Sequence, residues 1–203
     1  MTQGQLFVVS APSGAGKSSL IKAALADPKV NNLVYAISHT TRPPRGDENN
    51  GVDYYFVSEE QFLRMVESGD FLEWTRTYGN YYGTSRKKIQ ELLINHNVIT
   101  DVDVVGGRAF REAFPAAILI FVIPPALSIL KERLKNRGTN TEEETQLRLN
   151  HSLEEIREYR LYDFLLVNNE FEKTASELVE IINTGKGTTV EGQEEFWKKF
   201  SKS

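Results

Sequence analysis

The chain contains no cysteine among its 203 residues. This absence excludes disulfide bonds, a catalytic thiolate and zinc sites built on cysteine, and it fits a reducing compartment. Long apolar runs are missing too, because the longest one, residues 116–123, has the length of a strand and ends at two prolines. A membrane-spanning helix needs about 20 apolar residues, and the first residues lack the pattern of a signal peptide. We therefore expect a cytoplasmic protein without a membrane span.

An excess of basic residues is also lacking. The chain has 24 Lys and Arg against 28 Asp and Glu, a net charge of -4, which argues against a general nucleic-acid-binding protein. An anionic ligand would need a local concentration of basic groups. The length suggests one domain, or one core domain with insertions.

Four short apolar segments predict buried strands at residues 5–10, 97–105, 116–123 and 163–167. Helices are predicted between and after them, including residues 17–26 and the amphipathic stretch 171–184. Apolar strands that alternate with helices indicate a parallel sheet covered on both faces, and hence the α/β class.

Two segments interrupt this core, which otherwise comprises residues 1–36, 85–126 and 158–184. Residues 37–84 are polar and predict a small mixed α+β insertion with a helix near residues 59–68. Residues 127–157 predict a helical hairpin, in which Thr141 and Glu144 fit a capping box. Residues 185–203 form a tail, read as a linker (185–192) followed by a short terminal helix.

The segment "VVSAPSGAGKSSL" (residues 8–20) places a glycine-bearing loop between a strand and a helix. Gly14, Gly16, Lys17 and Ser18 match the end of the phosphate-loop motif, although Ala11 replaces its first glycine. Backbone N–H groups at a helix N-terminus bind anions, the lysine reaches the β- and γ-phosphates, and the serine hydroxyl binds Mg²⁺. The alternative is a tight strand–helix turn. We expect a nucleoside triphosphate site, because a one-carbon side chain at residue 11 is tolerated where φ is negative.

Asp101 follows three largely apolar residues in the predicted strand 97–105, as the acidic residue on a second strand of such sites does. It is expected to support Mg²⁺ directly or through water. The alternative for Asp101 and Asp103 is solvation of the end of the strand.

The polar insertion carries a second set of phosphate-binding groups. The segment "SHTTRPPRGDENNGVDYYFV" (38–57) contains Arg42 and Arg45, and "FLEWTRTYGNYYGTSR" (71–86) adds tyrosines and hydroxyl groups. Arginine binds phosphate through a planar fork, so Arg42 and Arg45 near tyrosyl hydroxyls predict a second phosphate pocket. Glu73 could accept hydrogen bonds from the edge of a base, or it could be a solvated loop carboxylate.

Taken together, these segments resemble bacterial guanylate kinases over roughly residues 4–182. "SAPSGAGKSSL", the two polar segments and "RLKNRGTNTEEE" (133–144) stand in the order and spacing of that family. The resemblance implies a P-loop kinase that uses ATP and Mg²⁺ to convert GMP into GDP. It also implies that residues 37–84 bind GMP and that residues 127–157 contain a mobile lid.

The resemblance assigns a role to each matching position. The implied contacts to the GMP phosphate are Arg42, Arg45, Tyr54 and Tyr82, and those to guanine are Ser38, Glu73, Thr84 and Asp103. The cations around the transferred phosphoryl group are Lys17, Arg133, Arg137 and Arg148. The ATP site comprises Ala11, Pro12, Ser13, Gly14, Ala15, Gly16, Lys17, Ser18, Ser19 and, near the base, Asn168.

The chain departs from the family pattern after Asp103. The family usually has a Gln-Gly pair there, and this chain has Val104-Val105-Gly106-Gly107, which leaves the role of that glutamine open. Asn169 also stands where an aspartate is common.

Two other functions are compatible with part of the pattern. A sugar-phosphate kinase of the same fold would not need a base-reading acid, and a non-catalytic guanylate-kinase-like binding module typically has an eroded phosphate loop. The expected partners are ATP and GMP, with no nucleic acid. Whether the chain forms a homo-oligomer is left open by the sequence.

Overall fold

The computed structural model describes residues 4–12, 14–77, 79–135, 142–191, 197 and 200, without the side chains of residues 142–145, 147 and 148. Along the chain the elements are β1 (Leu6–Ser10), α1 (Lys17–Ala26), β2 (Leu33–Tyr35), β3 (His39–Thr40), β4 (Tyr55–Phe56), α2 (Glu59–Glu67), β5 (Phe71–Thr77), β6 (Asn80–Ser85), α3 (Arg86–Leu93), β7 (Asn97–Val102), α4 (Val104–Ala113), β8 (Ile118–Ile123), α5 (Leu127–Lys135), α6 (Glu142–Arg157), a 3₁₀ helix (Glu158–Leu161), β9 (Phe164–Val167) and α7 (Phe171–Thr184).

The larger sheet has five parallel strands in the order β2-β7-β1-β8-β9. Alternate residues of β1 enter two different hydrophobic clusters: Leu6 and Val8 face one cluster, while Phe7 and Val9 face the other. Each buried side chain of this kind stabilises the fold by about 1.5–3 kcal/mol. The sheet is therefore covered on both faces, and the predicted α/β class is confirmed.

The smaller sheet has four strands in the order β4-β3-β6-β5, with β3 and β5 both antiparallel to β6. Its interior is aromatic, since the rings of Phe62 and Phe71 stack with centroids 4.4 Å apart and Phe62 also stacks on Tyr81. Helix α2 supplies Phe62 and begins with the complete capping box of Ser58 and Gln61. The strands of this sheet lie within or next to the predicted mixed insertion.

Most segments predicted from periodicity are present, and α1 and α7 have the predicted bounds. One strand was predicted too long: residues 104 and 105 belong to α4, because the carboxylate of Asp103 accepts a hydrogen bond from the Gly106 amide 2.8 Å away and caps that helix. Strand β2 was not predicted, since its three residues are too few to show a periodicity. Thr141 and the side chain of Glu144 lie outside the described residues, so their capping box stays a prediction.

Part of the tail predicted as a linker packs on the core. Thr189 forms an antiparallel bridge with Phe164 of β9, the Leu165 amide donates to the Thr188 carbonyl, and Val190 is buried. Residues 188–190 therefore cover the edge of β9, which would otherwise expose unpaired backbone groups. Further along, the ring of Trp197 stacks on Tyr159 with centroids 3.8 Å apart.

The carboxyl ends of the parallel strands lie along one edge of the larger sheet. In open α/β sheets ligands bind at this edge. Here β1 leads into the loop before α1, β7 ends beside Asp101 and Asp103, and β9 ends at Asn168. Within the described part of the chain, none of the helices has the length and apolarity needed to cross a membrane.

Candidate active site

The loop between β1 and α1 has the backbone conformation of an anion-binding turn. Gly14 and Gly16 both have positive φ, 92° and 93°, a region that side chains with a Cβ rarely adopt. Gly16 lies at the N-cap of α1 without a side-chain cap, so the first amides of the helix stay open to a ligand. Within the loop, Ala11 and Ala15 are buried. Ser18 and Ser19 are exposed in the first turn of α1. Ser13 lies outside the described residues.

Asn168 holds this loop from the end of β9. Its side-chain amide donates to the Ala15 carbonyl over 2.7 Å, and the side chain is buried. A Cβ on Gly16 would come within 2.5 Å of the Asn168 Nδ2 atom, so the amide packs against a position that only glycine can occupy. Asn168 thus supports the shape of the loop, a contact that the sequence did not predict. Its expected place near the ATP base stays a prediction.

Lys17 and Asp101 form the charged centre of the site. The Lys17 ammonium lies 3.0 Å from the Asp101 Oδ2 atom and donates to the Val102 carbonyl over 3.1 Å. The hydroxyl of Tyr35, in β2, donates to the other oxygen of Asp101. Burial alone would raise the pKa of Asp101, but the charge of Lys17 and these hydrogen bonds lower it below its ordinary value. The carboxylate is therefore ionised, as a group supporting a cation must be.

A three-residue cluster in the smaller sheet contains the predicted base-reading acid. The hydroxyl of Thr84 donates to a Glu73 carboxylate oxygen over 2.6 Å and lies 3.1 Å from the hydroxyl of Ser38. The pairing of β5 with β6 shifts register between Phe71 and Glu73, and this bulge places Glu73 opposite Thr84. Glu73 is therefore not a solvated loop carboxylate.

The environment of Glu73 changes its acidity. Burial raises the pKa of Glu73 to about 7 and the charge of Asp103 adds to the rise, while the Thr84 hydrogen bond and the charge of Lys17 oppose it. A Cβ on Gly106 would lie 3.3 Å from the Glu73 Oε2 atom, so this carboxylate packs against the first turn of α4, the helix that Asp103 caps. Such a shift at a buried carboxyl is common in functional sites.

Arg42 and two tyrosines form a second basic pocket in the same insertion. The Arg42 guanidinium is 6% exposed and lies over the rings of Tyr54, at 5.4 Å from the centroid, and Phe56. The rings of Tyr54 and Tyr82 are 6.2 Å apart, edge to face. Burial raises the pKa of Tyr54 to about 12, with Asp101 adding to the rise, so its hydroxyl stays a hydrogen-bond donor. The two predicted arginines differ in burial, because Arg42 is buried and Arg45 is exposed.

The predicted lid arginines are described only in part. Arg133, near the end of α5, donates to the Asn168 carbonyl over 3.1 Å and so lies beside the phosphate loop. Arg148 lies in α6, but its side chain and the whole of Arg137 are outside the described residues. Their roles stay predictions.

A cleft of about 990 Å³ lies beside the phosphate loop. Its walls come from the phosphate loop, the end of β5, the start of α4 and one side of α6. Glu155 of α6 was not singled out from the sequence, and it lines this cleft, where burial, with the charge of Asp103 adding, raises its pKa to about 7. Val105, at the departure from the family pattern, is exposed on the same wall.

Comparisons with known proteins agree with this geometry. A family model described as guanylate kinase matches residues 3–185. The chain belongs to the guanylate kinase family. A guanylate kinase of Symbiobacterium thermophilum is 43% identical over 189 residues, which is 93% of this chain and 89% of the relative. A guanylate kinase of Haemophilus influenzae is 44% identical over 91% of this chain and 89% of its own length.

A solved structure supports the fold. The crystal structure of guanylate kinase from Anaplasma phagocytophilum has a TM-score of 0.74 and 30% sequence identity, covering 91% of this chain and 87% of its own. The family membership inferred from the sequence segments is thereby confirmed.

Proposed function

We propose that this chain transfers the γ-phosphoryl group of ATP to GMP, giving ADP and GDP, with Mg²⁺. The observation that carries the proposal is the position of the Glu73–Thr84 pair beside the first turn of α4, whose residues line a cleft together with the phosphate loop and Lys17. Family membership and the names of the relatives support the same reaction.

ATP binds through the backbone of the phosphate loop. The amides after Gly14 and Gly16 surround the phosphates, and Lys17 leaves Asp101 to contact the transferred phosphoryl oxygens. Phosphoryl transfer between two anions needs positioning and charge neutralisation more than covalent catalysis, so Lys17 acts by electrostatic stabilisation of the transition state.

Mg²⁺ would be held by the exposed hydroxyl of Ser18 and, directly or through water, by Asp101. Both are hard oxygen donors of the type that Mg²⁺ prefers, and the lowered pKa of Asp101 keeps it ionised. Among the described residues no cluster of three or more acidic or histidine ligands could hold a metal by itself. This fits a cation bound jointly by one or two protein groups and the substrate phosphates. When bound, it would neutralise the charge that develops on the β- and γ-phosphates.

GMP binds in the inserted segment, residues 37–84. Its phosphate is held by Arg42 with Tyr54 and Tyr82, and by Arg45 once the loop closes on the ligand. Its base is read by Glu73, with Ser38, Thr84 and Asp103 around it. Guanine presents two donors on one edge, N1–H and the N2 amino group, and an ionised carboxylate accepts both. Adenine has an acceptor at N1, so AMP would place the N1 lone pair against the Glu73 carboxylate, where it would be repelled.

The segment 127–157 acts as the lid. Arg133, Arg137 and Arg148 bring positive charge to the transferred group when the lid closes, and closure keeps water from accepting the phosphate. We place the reaction in the cytoplasm, which suits a chain without cysteine.

One coupled assay tests the proposal. The purified chain is given ATP and Mg²⁺ with GMP, dGMP, AMP or a ribose phosphate as acceptor, and ADP release is measured. We expect GMP to be the preferred acceptor. Preference for the ribose phosphate would indicate the sugar-phosphate kinase, and no ADP release with any acceptor would indicate the binding module.

A further inference from the structure

Glu48 makes contacts that the roles described above do not explain. It lies in the loop between β3 and β4, and its carboxylate binds the terminal nitrogens of Arg42 in a paired arrangement. The Arg42 Nη1 atom is 2.9 Å from the Glu48 Oε2 atom, and Nη2 donates to Oε1 over 3.0 Å. The two hydrogen bonds fix the plane of the guanidinium.

The same carboxylate also fixes the backbone at the second arginine. The Arg45 amide donates to Glu48 Oε2 over 2.8 Å, and the Glu48 amide donates to the Arg45 carbonyl over 3.1 Å. Glu48 therefore joins the Arg42 side chain to the Arg45 backbone. The hydrogen bond from Arg42 lowers the pKa of Glu48 below its ordinary value, so the carboxylate stays ionised.

The contacts with Glu48 engage only one edge of the Arg42 guanidinium. A guanidinium has five N–H donors on two bidentate edges. Glu48 takes the edge formed by Nη1 and Nη2, and the Pro43 carbonyl accepts a further bond from Nη1 over 2.8 Å. The adjoining edge, Nε with Nη2, offers two parallel donors on the guanidinium that Tyr82 also contacts.

We propose that Glu48 is a positioning residue for the acceptor phosphate, which presents the Nε–Nη2 edge of Arg42 and holds the Arg45 backbone in place. This inference rests on the proposed function of the pocket. It assigns no contact between Glu48 and the substrate, since the negative carboxylate would repel a phosphate. Glu48 acts through the arginines, and its removal affects binding of the acceptor more than the chemical step.

Steady-state kinetics of Glu48→Gln test this role. The glutamine keeps the shape but offers one oxygen acceptor, and its NH₂ group opposes a donor of Arg42 or Arg45. We expect the KM for GMP to rise about tenfold, while kcat and the KM for ATP change less than twofold. Glu48→Asp keeps the charge and should fall between wild type and Glu48→Gln. Glu60→Gln is the matched control: its exposed carboxylate pairs with Arg64 on α2, and it should match wild type.

A double variant separates positioning from other roles. Because Glu48 acts through both Arg42 and Arg45, Glu48→Gln should raise the KM for GMP less in the Arg42→Ala variant than in wild type, since the effects of coupled residues do not add. Independent, additive effects would overturn the proposal, as would an unchanged KM for GMP in Glu48→Gln. A lower KM would also overturn it, since Glu48 would then compete with the phosphate for Arg42. If wild type did not phosphorylate GMP at all, the proposed function itself would fail, which is a separate result.

Discussion

The phosphate loop is formed by one continuous stretch of chain, whereas the pocket of the smaller sheet is assembled from separate segments. In the loop, the decisive features are backbone conformations, with positive φ at Gly14 and Gly16 and open amides at the start of α1. In the pocket, Arg42 and Tyr54 come from the segment between β3 and β4, and Glu73 comes from β5. Under the proposed function, the first region binds the triphosphate and the second selects the acceptor.

The two regions should therefore fail in different ways. Substitutions in the phosphate loop should lower the rate of phosphoryl transfer with little effect on acceptor binding. Substitutions in the pocket should weaken acceptor binding or change which acceptor is preferred, and leave ATP binding unchanged.

The largest effect is expected at Lys17. Lys17→Ala removes the charge that contacts the phosphoryl group in the transition state, so kcat should fall at least about 10²-fold, with a much smaller change in the KM for GMP. Lys22→Ala is the control, because Lys22 is exposed on the same helix. Near-normal turnover of Lys17→Ala, measured in the coupled assay, would remove this residue from the transfer step.

A smaller and different effect is expected at Arg42. Arg42→Ala should weaken the binding of GMP by roughly 2 kcal/mol, about 30-fold in Kd, and leave ATP binding unchanged. This is the lower end of the range for a buried ion pair, because the Glu48 left behind keeps contact with water. Calorimetry with GMP and guanosine checks the cause. Equal binding of the two by wild type would show that the pocket does not hold the phosphate.

The smallest effect concerns pH. Because the pKa of Glu73 is about 7, only part of the protein has the ionised carboxylate near neutrality. The kcat/KM for GMP should rise about tenfold between pH 6 and pH 8, with an apparent pKa near 7. Glu73→Gln is measured in parallel, because GMP itself titrates in this range and does so equally with both proteins. Parallel profiles would mean that ionisation of Glu73 does not control GMP binding.

The same shift affects stability with a defined sign. The folded-state pKa of Glu73 lies above its ordinary value of 4.5, so folding favours the protonated form. Its contribution to stability is fully present below the ordinary pKa and is lost as pH rises through about 7. In Glu73→Gln the free energy of unfolding should lack this decline.

The two regions also differ in how much the sequence predicts. The loop and α1 follow from local rules, a strand, glycines and a helix start, and the structure has them at the predicted residues. The hydrogen bond from Asn168 to Ala15 could not be predicted, because it joins residues 153 positions apart. The end of β7 was misplaced because the aspartate that follows an apolar run was counted with the strand, although it caps α4.

In the pocket, the sequence indicates which residues matter but not how they meet. Glu73 was selected by its type and segment, yet its contact with Thr84 depends on a bulge that no periodicity reveals. Glu48 could not be recognised from the sequence, because a single acid in a polar segment shows no pattern. Its paired contact with Arg42 is visible only in three dimensions.

The central claim is that the pocket, through Glu73, selects the acceptor independently of the phosphate loop. The most direct test is the ratio of kcat/KM for GMP to that for AMP, measured in wild type and in Glu73→Gln, together with the KM for ATP. A site built to hydrogen-bond its substrate can reject a mismatched analogue by roughly 10⁴-fold. We expect Glu73→Gln to narrow the ratio strongly without reversing it, because Ser38, Thr84 and Asp103 remain, and to leave the KM for ATP nearly unchanged. An unchanged ratio would contradict the account, since another residue would then read the base.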